Sequence, residues 1–157
     1  MTPHYVEPLF RPPAEAGSLI FQVAYGCPHN GCRFCGMYKG VPYRLRTEEE
    51  LAAEIRRAGV AYPRVRRIFL ADGDVMAIGF DRVHRILAEL GAAFPFLSRV
   101  SSYANGSSIA RYRESELEVL RSLRLHTLYV GLETGMQQLL DPVSYTHLRA
   151  HETDQYL

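Results

Sequence analysis

The chain has 157 residues, of which 47% are apolar and 22% charged, and its formal net charge is +1. That composition suits one folded domain and excludes disorder as the main state. No apolar run approaches about 18 residues, and no basic stretch followed by an apolar one opens the chain. No membrane span or secretory leader is therefore expected, and the reading is cytoplasmic. A balanced charge gives no reason to expect nucleic acid or an acidic membrane as partner.

In chain order, residues 1–17 carry Pro3, Pro8, Pro12 and Pro13 without periodicity. They are expected to run as an extended arm over the surface. Leu19 to Tyr25 reads as a buried strand. Thr47-Glu48-Glu49-Glu50 is a capping-box signature. Leu51, Ile55 and Ala58 follow on one helical face, with Gly59 as the expected stop. Arg67 to Ala71 is the second strand. Val83, Ile86, Leu87 and Leu90 share a helical stripe that Gly91 is expected to end. Arg99 to Tyr103 is the third strand, and Glu114 to Leu123 a helix with Leu117, Leu120 and Leu123 inward. His126 is placed at that helix's end, where a cation suits the dipole. Thr127 to Leu132 is the fourth strand. Strands alternating with helices predict an α/β fold with a parallel sheet and right-handed crossovers. Chemistry in such folds sits at the carboxyl ends of the strands.

All three cysteines lie between positions 27 and 35. An odd, clustered set argues against a disulfide framework and for a metal site. Cys27, Cys32 and Cys35 follow the first strand as Cys-x4-Cys-x2-Cys, with Gly26 and Gly31 beside them. Three thiolates on a short loop can hold three irons of a [4Fe–4S] cluster, and no fourth cysteine exists to close the last one. A structural zinc site completed by His29 or His126 is the alternative from another class. A SAM-independent iron–sulfur electron-transfer protein is a third reading.

The segment Tyr25 to Lys39 resembles the radical S-adenosylmethionine (SAM) superfamily. Its usual motif is Cys-x3-Cys-x-aromatic-Cys. Cys32-Arg33-Phe34-Cys35 matches the second half, and the first gap is one residue longer. Asp72-Gly73-Asp74, after the second strand, resembles the Gly-Gly-Glu-type turn that meets the SAM amino group, with Asp72 standing in place of the first glycine. Gly131-Leu132-Glu133-Thr134-Gly135 resembles the family segment that places a carboxylate near the ribose hydroxyls. The resemblance implies the first βα units, about four, of a partial TIM-like (βα)6 barrel over residues 18–142. It implies a cluster held by Cys27, Cys32 and Cys35, and SAM contacts at Phe34, Asp72, Gly73, Asp74 and Glu133. Ser102 and Asn105, at the third strand's end, are added as cleft residues. The implied activity is enzymatic: an electron from a flavodoxin- or ferredoxin-like donor splits SAM, and a 5′-deoxyadenosyl radical abstracts hydrogen from a substrate that the sequence does not name.

Val143 to Thr153 resembles the translation of a transposase adapter used in sequencing libraries. Residues 143–157 are therefore expected to be a non-native tail, with the native chain interrupted near Pro142.

Overall fold

The computed structural model describes residues 5–131, 136 and 138. The first strand read from the sequence is divided at Val23. Strand β1 spans Leu19–Gln22 and β2 spans Ala24–Tyr25. After a long loop, β3 (Arg44–Leu45) returns antiparallel to β2, pairing Ala24 with Leu45 and Tyr25 with Arg44. Helix α1 (Glu48–Ala61) starts on the expected capping box: Glu50 N–H donates to Thr47 Oγ1, and Thr47 N–H donates to the Glu50 carboxylate. Next come β4 (Arg67–Ala71), α2 (Phe80–Ala93), β5 (Arg99–Ala104), the single-turn α3 (Gly106–Ile109), α4 (Glu114–Ser122) and β6 (Leu125–Val130).

The main sheet is parallel throughout and ordered β1-β4-β5-β6. Each new strand adds to the same side of the last, as in a winding barrel rather than a doubly wound sheet. This is an α/β fold of the partial TIM-like kind.

Strand alternation assigns the two faces. Phe21, Ile68, Leu70, Val100 and Ala104 point to the helices and join Leu51, Ile55, Leu87, Leu90 and Leu120 in the larger core. Ile20, Phe69 and Ala71 point the other way, with Tyr103 and Tyr129 packed against them. There the Phe69 ring meets Tyr103 at 5.2 Å and Tyr129 at 6.3 Å, both edge to face.

Three sequence expectations change. Gly59 and Gly91 stop neither helix; α1 runs to Ala61 and α2 to Ala93. His126 lies inside β6, exposed, because strand pairing with β5 begins at Leu125 and takes that residue into the sheet. The N-terminal arm does not simply lie over the surface: Tyr5 and Leu9 pack on the sheet's inner aromatic face. The Val6 backbone exchanges two hydrogen bonds of 2.8 Å with the Gln22 side-chain amide: Val6 N–H donates to Gln22 Oε1, and Gln22 Nε2 donates to Val6 O. Further on, Pro13–Glu15 forms a 3-10 turn that buries Glu15 completely.

Among the described residues, no helix is long and apolar enough to cross a membrane.

Candidate functional site at the carboxyl ends of the strands

The cysteines sit on the loop between β2 and β3. The two short strands clasp the loop's base, and Arg46 braces it there. Its guanidinium donates to Gln22 O at 3.2 Å and pairs with Glu54 of α1. Within the loop, Asn30 takes a positive φ of 40°, which asparagine tolerates better than most residues. Its Nδ2 donates to Tyr38 O at 3.0 Å, drawing the loop's two limbs together. Gly26, at φ 75°, begins the excursion.

Tyr38 anchors the far limb. It is 3% exposed, and its ring meets Phe10 of the arm edge to face at 5.5 Å. Its hydroxyl donates to Asp72 Oδ1 at 3.3 Å, while Gln22 Nε2 donates to Asp72 Oδ2 at 3.1 Å. Burial pushes the Asp72 carboxyl up to about 6; hydrogen bonds from Gln22, Tyr38 and the Gly26 backbone offset part of that rise. Burial, then the Asp72 charge, likewise raises the Tyr38 hydroxyl.

Gly73 explains how the loop meets β4. A Cβ placed there would lie 2.7 Å from both Cα and Cβ of Cys27, and 2.9 Å from Gly26 O. The turn after β4 and the first cysteine are in backbone contact, and only glycine leaves room for it. Asp74 then faces the end of β5. Its Oδ1 accepts from Asn105 N–H at 3.2 Å and its Oδ2 from Ser108 Oγ at 2.6 Å.

The structure thus brings Cys27, Gly73, Asp74 and Asn105 together at one end of the sheet. Asn105 takes part through its backbone; its side chain caps α3 by accepting from Ser107 N–H at 3.0 Å. Asp72 lies beneath the loop at 2% exposure, bonded to protein groups. Phe34 is 50% exposed on the loop, so it is not a core residue. Ser102 is not brought to the site. Its position in β5 alternates with the inner Tyr103, on the helix side with Val100 and Ala104, and it is 0% exposed. Glu133 lies outside the described residues, as do residues 143–157.

The three thiols are each partly exposed. Burial and then the nearby Cys35 and Cys27 raise the Cys32 thiol. Among the described residues, no three His, Cys, Asp or Glu side chains stand in finished metal-holding geometry. The donor set is of a kind that can hold an iron–sulfur cluster, and of the two histidines that could close a zinc site only His29 lies on the same loop. The set offers three soft thiolates on one loop, and His126 sits at the opposite, amino-terminal end of β6.

The family model described as the radical SAM superfamily matches residues 21–152. The chain belongs to the radical SAM superfamily. A comparison with curated proteins found no match. Members of the radical SAM superfamily generally combine a [4Fe–4S] cluster with SAM in radical chemistry, and enzymatic activity is general among them. For a radical SAM protein, the sequence alone gives no pointer to Gln22 or Ser108. Gln22 looked like one more strand residue, and Ser108 is 34 positions from the carboxylate it holds. Neither has a local pattern that could have pointed to it.

Proposed function

We propose that this chain carries the cluster and SAM-binding part of a radical SAM enzyme that abstracts hydrogen from a substrate. The supporting observation is the backbone contact between Cys27 and Gly73, which sets the cysteine loop against the acidic turn after β4. Cys27, Cys32 and Cys35 would hold a [4Fe–4S] cluster with one iron open. When bound, the cluster supplies the electron that opens the sulfonium C–S bond of SAM, the source of the hydrogen-abstracting radical.

The chain's own residues do the rest. Gly73 lets main-chain carbonyls approach the SAM ammonium. Asp74 is the carboxylate for that ammonium; Ser108 and the Asn105 backbone fix its orientation before any ligand arrives. Phe34, exposed on the loop, offers a face for the adenine ring. Tyr38, Asp72 and Gln22 tie the loop to the sheet, so that the thiolates are presented from a fixed base. Phe69, Tyr103 and Tyr129 wall the inner face and exclude water from the region where a radical would form.

The test is low-temperature EPR on anaerobically reconstituted, dithionite-reduced protein, with and without SAM. The expected result is a reduced-cluster signal that changes when SAM is added, together with release of 5′-deoxyadenosine. Cys32→Ala should lose both cluster and release. A folded protein that carries zinc and no cluster, or a cluster signal indifferent to SAM, would overturn the proposal.

A further inference from the structure

The fold sorts the chain's charges by end. Glu48, Glu50, Asp81, Glu114 and Glu116 occupy the first turns of α1, α2 and α4, at the carboxyl ends of the strands. At the amino-terminal end, the connections 62–66, 94–98 and 123–124 contain no Asp or Glu. Arg64, Arg66 and Arg67 lead into or open β4, while Arg121 ends α4 and Arg124 leads into β6; all five are exposed. Strand pairing draws the two groups together across β5. Ser98 N–H and Arg99 N–H donate to Arg66 O at 2.9 and 3.2 Å, and Val100 N–H donates to Arg124 O at 2.8 Å. Arg124 N–H in turn donates to Arg121 O at 2.9 Å. Glu15 reaches this end, but it is fully buried and paired with Arg99. None of the five exposed arginines forms an ion pair among the described residues.

An aromatic ring stands in the same surface. Phe96, in the connection between α2 and β5, is 58% exposed. Two residues on, Ser98 Oγ donates to Arg66 O at 2.8 Å. A Cβ at Gly91 would lie 3.1 Å from Arg124 Nη1, so that guanidinium rests on the last turn of α2, which leads to Phe96. Arg66 and Arg124 therefore approach the Phe96 connection from β4 and from β6. The net charge of +1 gives no reason to expect a polyanion, but it averages two poles that only the fold separates. We infer that this amino-terminal face, opposite the cysteine loop, binds single-stranded nucleic acid, the arginines taking phosphates and Phe96 stacking on a base. Guanidinium presents two parallel N–H donors to two phosphate oxygens, the closest match a side chain offers. An unpaired base has a free face for an aromatic ring, and such stacking is indifferent to sequence. An anionic lipid surface would draw the same charges but wants an apolar helix face to sink below the headgroups. Here α1 and α2 turn theirs into the core. The inference does not depend on the cluster.

The test is fluorescence anisotropy of labelled single-stranded oligonucleotides, RNA and DNA of one mixed sequence, titrated with the full chain; binding of either supports the inference. The expected Kd is about 1–100 µM near physiological salt. With about three to five phosphates contacted, affinity should fall roughly 20- to 100-fold between about 50 and 200 mM salt. Arg64→Gln, Arg66→Gln and Arg124→Gln together should weaken binding about ten-fold or more and flatten that salt dependence. Phe96→Ala should weaken it about five-fold or more and leave the salt slope as it was. Arg113→Gln, at the opposite end of α4, should bind as the unaltered protein does. All these side chains are exposed, and an unchanged urea midpoint checks that each variant is folded. If the triple variant loses stability, the single Gln variants replace it, at about two- to three-fold each. No binding at low salt would overturn the inference, as would full affinity in the arginine variants or in Phe96→Ala, or an equal loss in Arg113→Gln. Sedimentation with phosphatidylserine vesicles that excess oligonucleotide does not displace would overturn it in favour of a membrane surface.

Discussion

At the scale of single residues, Gly73 and Asp72 decide how the cysteine loop is held. Alanine at 73 would push a methyl into the Cys27 backbone, where no flexible side-chain end can yield. Gly73→Ala is expected to cost about 1–3 kcal/mol of stability. It should also lower iron retained after reconstitution by about ten-fold, read by iron and sulfide assay on protein shown to be folded. Retention at the unaltered level would mean that the contact is not needed. Asp72 has a folded value near 6 against an ordinary 3.8, so the folded state binds the extra proton. Stability therefore falls as pH rises from about 4 through about 6, by roughly 1–3 kcal/mol. Glu7 adds to the rise by repulsion. In Asp72→Asn that slope should flatten, as followed by urea unfolding at pH 4.5 and 7. An unchanged slope would assign the pH dependence to other groups.

At the scale of elements, Gly59 shows packing overriding propensity. In an isolated helix Gly→Ala gains up to about 1 kcal/mol. Here a Cβ would lie 2.6 Å from Ala93 O and 3.1 Å from Ala93 Cβ, so α1 and α2 touch through this position. Gly59→Ala is expected to destabilise by about 1–3 kcal/mol, measured as a drop in the urea midpoint. A gain in stability would mean that the end of α2 yields without cost. The capping box of α1 needs no such context, because Thr47 and Glu50 are three residues apart and satisfy each other. The same locality made the boundaries of β4, β5 and α4 legible within a residue or so. The clasp of β2 with β3 was not legible: two residues of strand have no period to detect, and their pairing spans the whole cysteine loop.

At the scale of the whole molecule, the N-terminal arm ties the sheet together. Glu15 is fully buried and accepts from Ser18 Oγ and from Tyr129 Oη at 2.9 Å, with Arg99 at 3.2 Å. It joins the arm to β5 and β6, the far side of the sheet from β1. Burial alone would raise its carboxyl; the Ser18 and Tyr129 hydrogen bonds and the Arg99 charge outweigh that and lower it. A lowered carboxyl contributes stability above its unfolded value of about 4.5 and loses it as pH falls through the folded value. Glu15→Gln is expected to cost about 2–4 kcal/mol at pH 7 and less below pH 4, by urea unfolding. An equal cost at both pH values would show that shape rather than charge holds the arm.

The sequence by itself determined the alternation of strands and helices, the α1 cap, and the three thiols on one loop after the first strand. These are written in neighbouring residues, through side-chain period, capping spacing and cysteine spacing. It also ordered the Asp72-Gly73-Asp74 turn after the second strand, and parallel winding carries successive strand ends to one side. Only the tertiary structure decided what each of those residues touches. It set Gly73 against Cys27, gave Asp74 to Ser108 and the Asn105 backbone, and placed Asp72 under the loop with Tyr38 and Gln22. It turned Ser102 toward the helices and folded the arm onto the inner face. Those outcomes depend on strand register and on contacts between distant residues, and a one-residue change of register would exchange the two faces of a strand.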